Sequence, residues 1–327
     1  MQASNQKLWV GMEVQDKMKF LLLTFLFLTT SFLPAKELKV LMVGNSFSIS
    51  VGQFLPAVVK SVPGCKLHLV SAYIGGCPLD KHWSNIEKAE KDPSFKPYKV
   101  DTWTFDGKQQ KSYKDNVNNL LKKEKWDIVT IQQASPKSWR SETYHPYGDN
   151  LVAYIRKNAP QAEIIVQQTW SYRADHTSMK RWNLNQQTMY EKIKESYSAF
   201  AAKYKLRQIP MGDAVQFYRN ESPVKYVPPT AEELASYHHP DRPRSAGDPV
   251  GVYYYRKDPK TQEMVLSADR IHLNISGIYL QACVWFSFLY GKDPAEIKYV
   301  PNIGKTEAEF IRKCAGKAVS GNKTQKK

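Results

Sequence analysis

The stretch KVLMVGNSFSISV, residues 39–51, decides how the rest of the chain is interpreted. Its apolar run ends in Gly44-Asn45-Ser46, and residues of these types are common where a strand ends in a turn. The run therefore predicts a strand, and Ser46 by itself is a turn residue. A catalytic role for Ser46 requires a histidine, an acid that orients the histidine, and donors for an oxyanion elsewhere in the chain.

Further apolar runs alternate with helical patterns along the chain. The predicted strands are residues 38–43, 67–72, 127–132, 163–168 and 206–210, and the predicted helices are residues 53–61, 113–123, 147–158, 185–204 and 276–289. Continuous β-branched runs such as DIVTIQ and EIIVQQ are typical of a sheet covered on both faces. The alternation predicts parallel crossover connections, so the expected fold class is α/β: a three-layer α/β/α sandwich around a parallel sheet of about five strands.

Two stretches interrupt this alternation. Residues 99–111, KVDTWTFDGKQQK, predict a hairpin that turns at Asp106-Gly107. Residues 221–266 show no helical period and predict an irregular insertion of loops, with or without a second hairpin, directly before the last helix. Long loops in compact domains are usually either functional or disordered, and the tyrosines at 253–255 and the histidines at 238–239 are compatible with a role facing a substrate.

The N-terminal region carries a secretory signal pattern. Basic Lys17 and Lys19 precede the apolar run at 20–28, which is far shorter than the roughly 20 residues needed to span a bilayer. We expect a signal peptide cleaved after Ala35, a domain at 36–300 and a basic tail at 301–327. The expected location is outside a bacterial cytoplasm, periplasmic or secreted, with no stable membrane insertion after cleavage. An uncleaved membrane anchor is the alternative.

The net charge of the chain indicates which classes of partner it could bind. The chain has 47 Lys and Arg against 31 Asp and Glu, a formal net charge of +16, and cationic proteins attract polyanions. There is no zinc-finger spacing and no Arg-rich helix, so we expect no nucleic acid partner. An acidic glycan and a simple solvated basic surface both fit this charge. The oligomeric state stays open.

Four cysteines are too few for a disulfide scaffold in a chain of 327 residues. Cys65 and Cys77 flank one predicted strand and lie too far apart for a bridge. Cys283 and Cys314 are left as a possible disulfide. Cys77 is also a rival nucleophile beside two glycines, but no histidine other than the one in the last motif is placed to activate it.

Polar and glycine residues follow the predicted strands, where an open parallel sheet binds its ligands. Gly75-Gly76 follows the second strand, and Gln132 follows the third. Before the last helix, SADRIHLN holds Asp269 and His272 three residues apart. This spacing lets a carboxylate orient the imidazole, which leaves its other nitrogen free to face a hydroxyl.

These residues together make a candidate esterase site. Ser46 attacks a carbonyl, His272 is its base and Asp269 orients the base. The backbone N–H groups of Ser46 and Gly76, with the side-chain amide of Gln132, are the expected oxyanion donors.

Here the chain resembles the SGNH, or GDSL-type, esterases and lipases over roughly residues 38–291. That family has a nucleophilic serine after the first strand, an oxyanion glycine after the second, an asparagine after the third, and Asp-x-x-His before the last helix. The closest likeness is to a little-characterised bacterial branch with GNSFS at the nucleophile, GG followed by HW, and D-x-x-H-L near the end. IQQAS, with Gln132 and Gln133, lacks the usual Gly-x-Asn-Asp, and a glutamine amide can make the hydrogen bonds of the asparagine.

The resemblance implies a flavodoxin-like fold and ester hydrolysis without metal or other cofactor, commonly on acetyl or other acyl esters. The expected function is an exported serine esterase that removes short acyl groups from a carbohydrate, possible substrates including acidic polysaccharides. Gly75 and Asn45 are expected to line the site beside Gly76 and Gln132. A catalytically inactive glycan-binding protein and a lipid or thioester hydrolase are the alternatives.

Other polar and aromatic residues carry two interpretations each. Trp170 and Tyr172 follow the fourth strand and either stack on a sugar or belong to the core. His82 is expected at the rim of the pocket. A further set either lines the site or lies in the core or on the surface: Asp80, Gln133, and the loop residues His238, His239 and Asp241, which could also bind a metal.

Overall fold

A twisted sheet of seven strands crosses the part of the chain that the computed structural model describes, residues 36–324. The strands in chain order are β1 (Lys36–Gly44), β2 (Cys65–Tyr73), β3 (Tyr98–Trp103), β4 (Tyr113–Asp115), β5 (Ile128–Ile131), β6 (Glu163–Gln167) and β7 (Arg207–Ile209). Their order across the sheet is β4-β3-β2-β1-β5-β6-β7. The predicted signal peptide at 1–35 lies outside the described residues.

The sheet confirms the predicted fold class and corrects its strand count. The five predicted strands are β1, β2, β5, β6 and β7, and every pairing between neighbours in this set is parallel. The predicted hairpin at 99–111 contributes β3, while β4 lies just beyond it, at the start of the predicted helix 113–123, which begins only at Val117. Strands β3 and β4 pair antiparallel and extend the sheet beside β2. The sheet is therefore larger than expected because the hairpin joins it.

Helices cover both faces of the sheet, as a three-layer sandwich requires. They are α1 (Ser46–Ile49), α2 (Val51–Lys60), α3 (Leu79–Lys91), α4 (Val117–Lys123), α5 (Tyr147–Asn158), α6 (Thr177–Arg181), α7 (Gln186–Tyr204), α8 (Met211–Glu221), α9 (Ala231–Ser236), α10 (Ile275–Tyr290) and α11 (Lys305–Thr324). Helices α2, α8, α10 and α11 pack together on one face, and α3, α4 and α5 pack together on the other. No described helix combines the length and apolarity needed to cross a membrane.

The C-terminal segment differs from the expected basic tail. Residues 305–324 form helix α11, which packs on α10. Ala308, Ile311 and Ala315 recur every three or four residues on its buried face, whereas Lys313 and Lys317 are exposed. Cys283 on α10 and Cys314 on α11 are both buried free thiols, so the structure does not contain the possible disulfide.

The predicted insertion is more regular than expected. It holds the short helix α9, and its last part forms strand β8 (Val250–Lys257). Strand β8 pairs antiparallel with β9 (Met264–Leu273) in a two-stranded sheet separate from the main one. This second hairpin carries the Asp-x-x-His motif, because Asp269 and His272 both lie on β9.

Candidate active site

The first strand delivers Ser46 to the edge of the sheet. Strand β1 is buried along its apolar run and ends at Gly44, where a side chain would collide with Ser48. Asn45 then caps helix α1, because its side-chain oxygen accepts a hydrogen bond from Phe47 N at 3.1 Å. Ser46 is the first residue of this helix, and it is partly exposed between two buried neighbours.

The last hairpin brings Asp269 and His272 to the same place. His272 Nε2 lies 2.9 Å from Ser46 Oγ, and His272 Nδ1 lies 2.7 Å from Asp269 Oδ2. Asp269 Oδ1 also accepts hydrogen bonds from the backbone N–H groups of Ile271 and His272, at 2.8 and 2.9 Å. The carboxylate therefore faces a proton on Nδ1, which leaves Nε2 to accept the proton of the serine.

The charge of Asp269 is stabilised by these contacts. Burial by itself would raise the pKa of Asp269, but the hydrogen bonds from the His272 ring and from the backbone of His272 and Ile271 hold that pKa well below its usual range. Asp269 is consequently ionised at neutral pH. Its negative charge can stabilise the imidazolium that forms when His272 accepts a proton.

The Gly75-Gly76 pair forms a turn beside the serine. Cys77 N donates to Ile74 O at 3.3 Å and closes the turn, while Gly76 has a φ of 60°, which favours glycine. Asn45 Nδ2 donates to Cys77 O at 3.0 Å and so ties this turn to the start of α1. The role of the Ser46 and Gly76 N–H groups as oxyanion donors stays a prediction.

Gln132 is placed behind Asn45. Its Nε2 donates to Asn45 Oδ1 at 2.7 Å, its Oε1 accepts from Gln167 Nε2, and only 3% of Gln132 is exposed. These contacts support Asn45 and include none with Ser46. The role of Gln132 as a third oxyanion donor stays a prediction.

A buried network of amides continues from Gln132, and sequence reasoning missed it. Gln167 Nε2 and Gln281 Nε2 both donate to the backbone oxygen of Phe47, at 3.0 and 2.8 Å. Trp285 Nε1 donates to Gln167 Oε1 at 2.8 Å. The available signal was the presence of glutamines in otherwise apolar elements, since a buried amide needs hydrogen-bond partners.

Trp170 connects the serine to the strand that carries the histidine. Its ring stacks on Phe47 with centroids 4.0 Å apart, and its Nε1 donates to Ile271 O at 2.9 Å. The edge of Phe47 in turn meets the His272 ring, with centroids 5.7 Å apart. Trp170 is only 1% exposed, so of its two interpretations the core position is the correct one.

A buried arginine fixes the hairpin from the other side. Arg173 makes a bidentate ion pair with Asp175 at 2.7 and 2.9 Å, and Asp175 also binds Arg270 Nε at 2.8 Å. The rings of Tyr226 and Tyr253 flank the Arg173 guanidinium, with centroids at 4.6 and 4.7 Å. Because Arg270 directly follows Asp269, this cluster positions the acid of the site.

The remaining histidine and cysteine candidates lie in the core. His82 is buried, and its Nδ1 lies 2.9 Å from Tyr98 Oη; burial lowers the pKa of His82 to about 4. It therefore lies in the core, and the expected position at the pocket rim is wrong. Burial raises the pKa of Cys77 to about 12, which keeps this rival nucleophile protonated.

Other candidates have structural contacts. Asp80 forms an ion pair with Lys137 at 2.8 Å, and buried Gln133 accepts a hydrogen bond from Leu79 N at 3.1 Å. The loop residues His238, His239 and Asp241 are exposed. Residues 36–324 contain no group of three or more His, Cys, Asp or Glu side chains that could hold a metal ion.

Comparison with known proteins identifies a family. Residues 39–224 match the profile of DUF4886, described as a domain of unknown function. A DUF4886 family protein from Bacteroides uniformis, of known crystal structure, is 27% identical, and the match covers 87% of this chain and 95% of that one with a TM-score of 0.70. No curated protein matches.

Solved structures of SGNH proteins also show similarity. A protein from Slackia heliotrinireducens, described as a candidate SGNH hydrolase, is 17% identical over 76% of this chain and 96% of that one, with a TM-score of 0.43. An acetyl-xylooligosaccharide esterase from Geobacillus stearothermophilus is 13% identical over 80% and 94%, with a TM-score of 0.40. A family without an assigned function fits the little-characterised branch that the GNSFS motif indicates, while the fold is confirmed by the Bacteroides uniformis structure.

Proposed function

The chain belongs to the DUF4886 family, and we propose that it is an exported serine esterase that removes acetyl or other short acyl groups from a carbohydrate. The observation that carries this proposal is the hydrogen-bonded series of Ser46, His272 and Asp269, with distances of 2.9 and 2.7 Å. A serine, a histidine base and an orienting carboxylate in contact are the groups that acyl transfer needs.

The first half of the reaction transfers the acyl group to the enzyme. His272 Nε2 takes the proton of Ser46 as Oγ attacks the carbonyl carbon of the ester. The carbonyl oxygen becomes negative and accepts hydrogen bonds from the backbone N–H groups of Ser46 and Gly76. The tetrahedral intermediate then expels the sugar alkoxide, which receives the proton from His272 and leaves as an alcohol.

The second half restores the enzyme. Water gives a proton to His272 and attacks the acyl carbon bound to Ser46 Oγ. The second intermediate releases the carboxylic acid, and His272 returns its proton to the serine oxygen. Asp269 stays ionised throughout and stabilises the charged imidazole in both halves.

The carbohydrate part of the proposal is supported by charge and by the insertion. The formal net charge of +16 favours anionic polymers, and export would bring the protein to polysaccharides rather than to nucleic acid. The insertion ahead of β9 is mainly polar and exposed at residues 238–242, which suits a polar glycan substrate.

The test is hydrolysis of 4-nitrophenyl acetate by the protein and by Ser46→Ala. We expect Ser46→Ala to lower kcat by 1,000-fold or more, about the loss seen when a catalytic nucleophile is removed. Ser48→Ala is the matched control, since this serine belongs to the same GNSFS motif but its hydroxyl donates to Asn45 O at 2.9 Å. Equal rates for the parent protein and Ser46→Ala would contradict the mechanism.

A second measurement separates glycan deacylation from lipid hydrolysis. Rates on 4-nitrophenyl acetate and 4-nitrophenyl octanoate should favour acetate, and acetylated polysaccharides should release acetic acid. Faster hydrolysis of octanoate would favour the lipid or thioester alternative. Glycan binding without hydrolysis of any ester would favour the inactive binding protein.

A further inference from the structure

Two loops leave the sheet at the edge where Ser46 lies. One follows β5 and carries Trp139, and the other follows β6 and carries Tyr172, His176 and Trp182. Strands β1, β5 and β6 are consecutive parallel neighbours, so both loops begin at the edge where β1 delivers the serine. The mechanism described above uses none of these four aromatic residues.

The four rings form one continuous surface, here named the aromatic platform. Tyr172 packs on His176 and Trp182, with centroids 4.6 and 5.9 Å away. Trp182 also contacts Trp139, with centroids 5.7 Å apart. The Tyr172 hydroxyl lies 2.9 Å from Ser135 Oγ and so links the β6 loop to the β5 loop. The platform therefore spans both loops.

The platform lies beside the acid and base of the site. The residues on either side of Tyr172 are anchored to the segment between Asp269 and His272: Trp170 Nε1 donates to Ile271 O at 2.9 Å, and Arg173 N donates to Arg270 O at 2.9 Å. Tyr172 is thus held against the strand that carries the base. A ligand on the platform would extend away from an ester placed at Ser46.

The rings differ in exposure in a way that suits a binding surface. Tyr172 is buried and forms the base of the platform, while Trp139, His176 and Trp182 are each partly exposed. The nearby Trp170, in contrast, is fully enclosed in the core. The rings are tilted by 40–46° to one another at these three contacts, so each partly exposed ring offers its own apolar face to the C–H side of a sugar ring.

Positive charge surrounds the platform. The Arg140 guanidinium lies 5.7 Å from the centroid of the Trp139 ring, and 40% of its side chain is exposed. Lys180 and Arg181 end helix α6 directly before Trp182, and both are exposed. Glu142 Oε1 lies 3.9 Å from Arg140 Nε, and this ion pair offsets part of the Arg140 charge. These cations favour a ligand with negative charge.

We infer that the aromatic platform binds a negatively charged sugar unit of the acylated glycan, next to the unit whose ester is cleaved. The inference rests on the proposed function for the position of the ester. The rings stack on the sugar face, and Arg140, Lys180 and Arg181 attract its acidic group. The platform thereby selects acidic glycans over neutral ones and over small esters.

Binding is measured by calorimetry in the Ser46→Ala background, so that hydrolysis does not consume the probe. The probes are acetylated oligogalacturonate, which carries carboxylates, and acetylated xylo-oligosaccharide, which is neutral. We expect tighter binding of the acidic probe, and about tenfold weaker binding when Trp182→Ala is added. Trp182→Phe keeps an aromatic face and should restore most of the affinity, which separates loss of the ring from a folding defect.

The matched control is Tyr204→Ala. Tyr204 is also a partly exposed ring near two cations, Arg156 and Lys203, but it ends α7 just before β7 begins, at the opposite edge of the sheet. Tyr204→Ala should leave the affinity for the acidic probe unchanged. Equal affinities in Trp182→Ala and Tyr204→Ala would overturn the platform.

A separate set of binding measurements tests the contribution of the positive charges. Arg181→Gln should weaken binding of the acidic probe, and added salt should do the same, while the neutral probe is little affected. Equal binding of both probes, unaltered by Arg181→Gln, would overturn the preference for an acidic sugar.

Platform-dependent binding in a protein that hydrolyses no ester would contradict the proposed function but support the platform. If the parent protein hydrolyses esters but Trp182→Ala binds the acidic probe as tightly as before, the proposed function is supported and the platform is contradicted.

Discussion

The two halves of the candidate site are held by different forces. The nucleophile side comprises Asn45, Ser46 and Phe47, and neutral buried amides hold it against the main sheet. The base side comprises Asp269 and His272 on a hairpin outside that sheet, and buried charge and aromatic rings hold it in place. Each half is fixed by the partners that its position in the fold provides.

This difference has a physical consequence. Hydrogen bonds between neutral amides depend little on salt or pH, whereas ion pairs respond to both. The base side should therefore be the more adjustable half, and the nucleophile side the more constant one. The predictions below separate the two sides, from the largest expected effect to the smallest.

The largest effect is expected where the two sides meet. His272→Ala removes the group that receives the serine proton, so kcat on 4-nitrophenyl acetate should fall about 10,000-fold. His145→Ala is the control, because that histidine also lies near a carboxylate, with Nδ1 2.7 Å from Asp149 Oδ1, but it directly precedes α5 rather than lying on β9. Loss of activity in both variants to the same extent would contradict the assignment of the base.

The second-largest effect is expected on the base side, where a substitution should lower the stability of the protein. Arg173→Met leaves Asp175 with only part of its counter-charge, and breaking a buried pair in this way should lower the free energy of unfolding by about 3 kcal/mol. Urea unfolding of this variant and of Arg207→Met makes the comparison. Arg207 pairs with Glu163 at an exposed site, with side chains 37% and 41% exposed, so its loss should cost about 1 kcal/mol or less. Similar losses in the two variants would contradict a special role for the buried cluster.

On the nucleophile side, Gln132→Leu removes the hydrogen bond to Asn45 Oδ1. We expect about 1–2 kcal/mol lower stability, since Gln167 also loses an acceptor in the core. We also expect kcat to fall about tenfold while KM changes little, because a displaced Asn45 moves the glycine turn. Gln161→Leu is the control, as its exposed side chain makes one long contact of 3.4 Å to Trp126 O. A change in KM alone would contradict a positioning role.

The smallest effect is a pH dependence confined to the base side. The pKa of Asp269 is held below its unfolded value, so Asp269 stabilises the folded protein above about pH 4, and this stabilisation is lost as pH falls further. The difference in Tm between the parent protein and Asp269→Asn should be full at pH 7 and shrink toward pH 3. The difference between the parent protein and Gln132→Leu should stay constant over that range. If the difference in Tm from the parent protein is independent of pH for both Asp269→Asn and Gln132→Leu, the contrast between the two sides is contradicted.

Much of the fold could be predicted because local patterns determine it. The five parallel strands carry continuous apolar runs, and the structure contains all of them. The turn dipeptide Asp106-Gly107 located the hairpin after β3, but β4 falls at residues 113–115, which were predicted as helix. Helix α11 was missed, although Ala308, Ile311, Ala315 and Ala318 have helical spacing, because the basic stretch 313–327 suggested a solvated tail. The strand count was low because pairing of the hairpin with β2 is a tertiary event.

The site was predictable only in its motif residues. Ser46 was singled out because the strand ends of a parallel sheet gather at one edge, and Asp269 and His272 because of their three-residue spacing before the last helix. Their supports could not be found from sequence, because Arg270 and Asp175 are 95 residues apart and nothing local indicates their contact. The predicted oxyanion role of Gln132 is untested, and the direction of its side chain depends on Gln167, which comes from another strand.

The central claim is that Ser46 is an activated nucleophile, and covalent labelling tests it most directly. The protein is treated with a fluorophosphonate ester, which phosphonylates activated serines, and its peptides are examined by mass spectrometry. We predict one adduct, on the peptide that contains Ser46, absent in Ser46→Ala and strongly reduced in His272→Ala. A protein that acquires no adduct, or that is labelled equally when His272 is removed, would contradict the account.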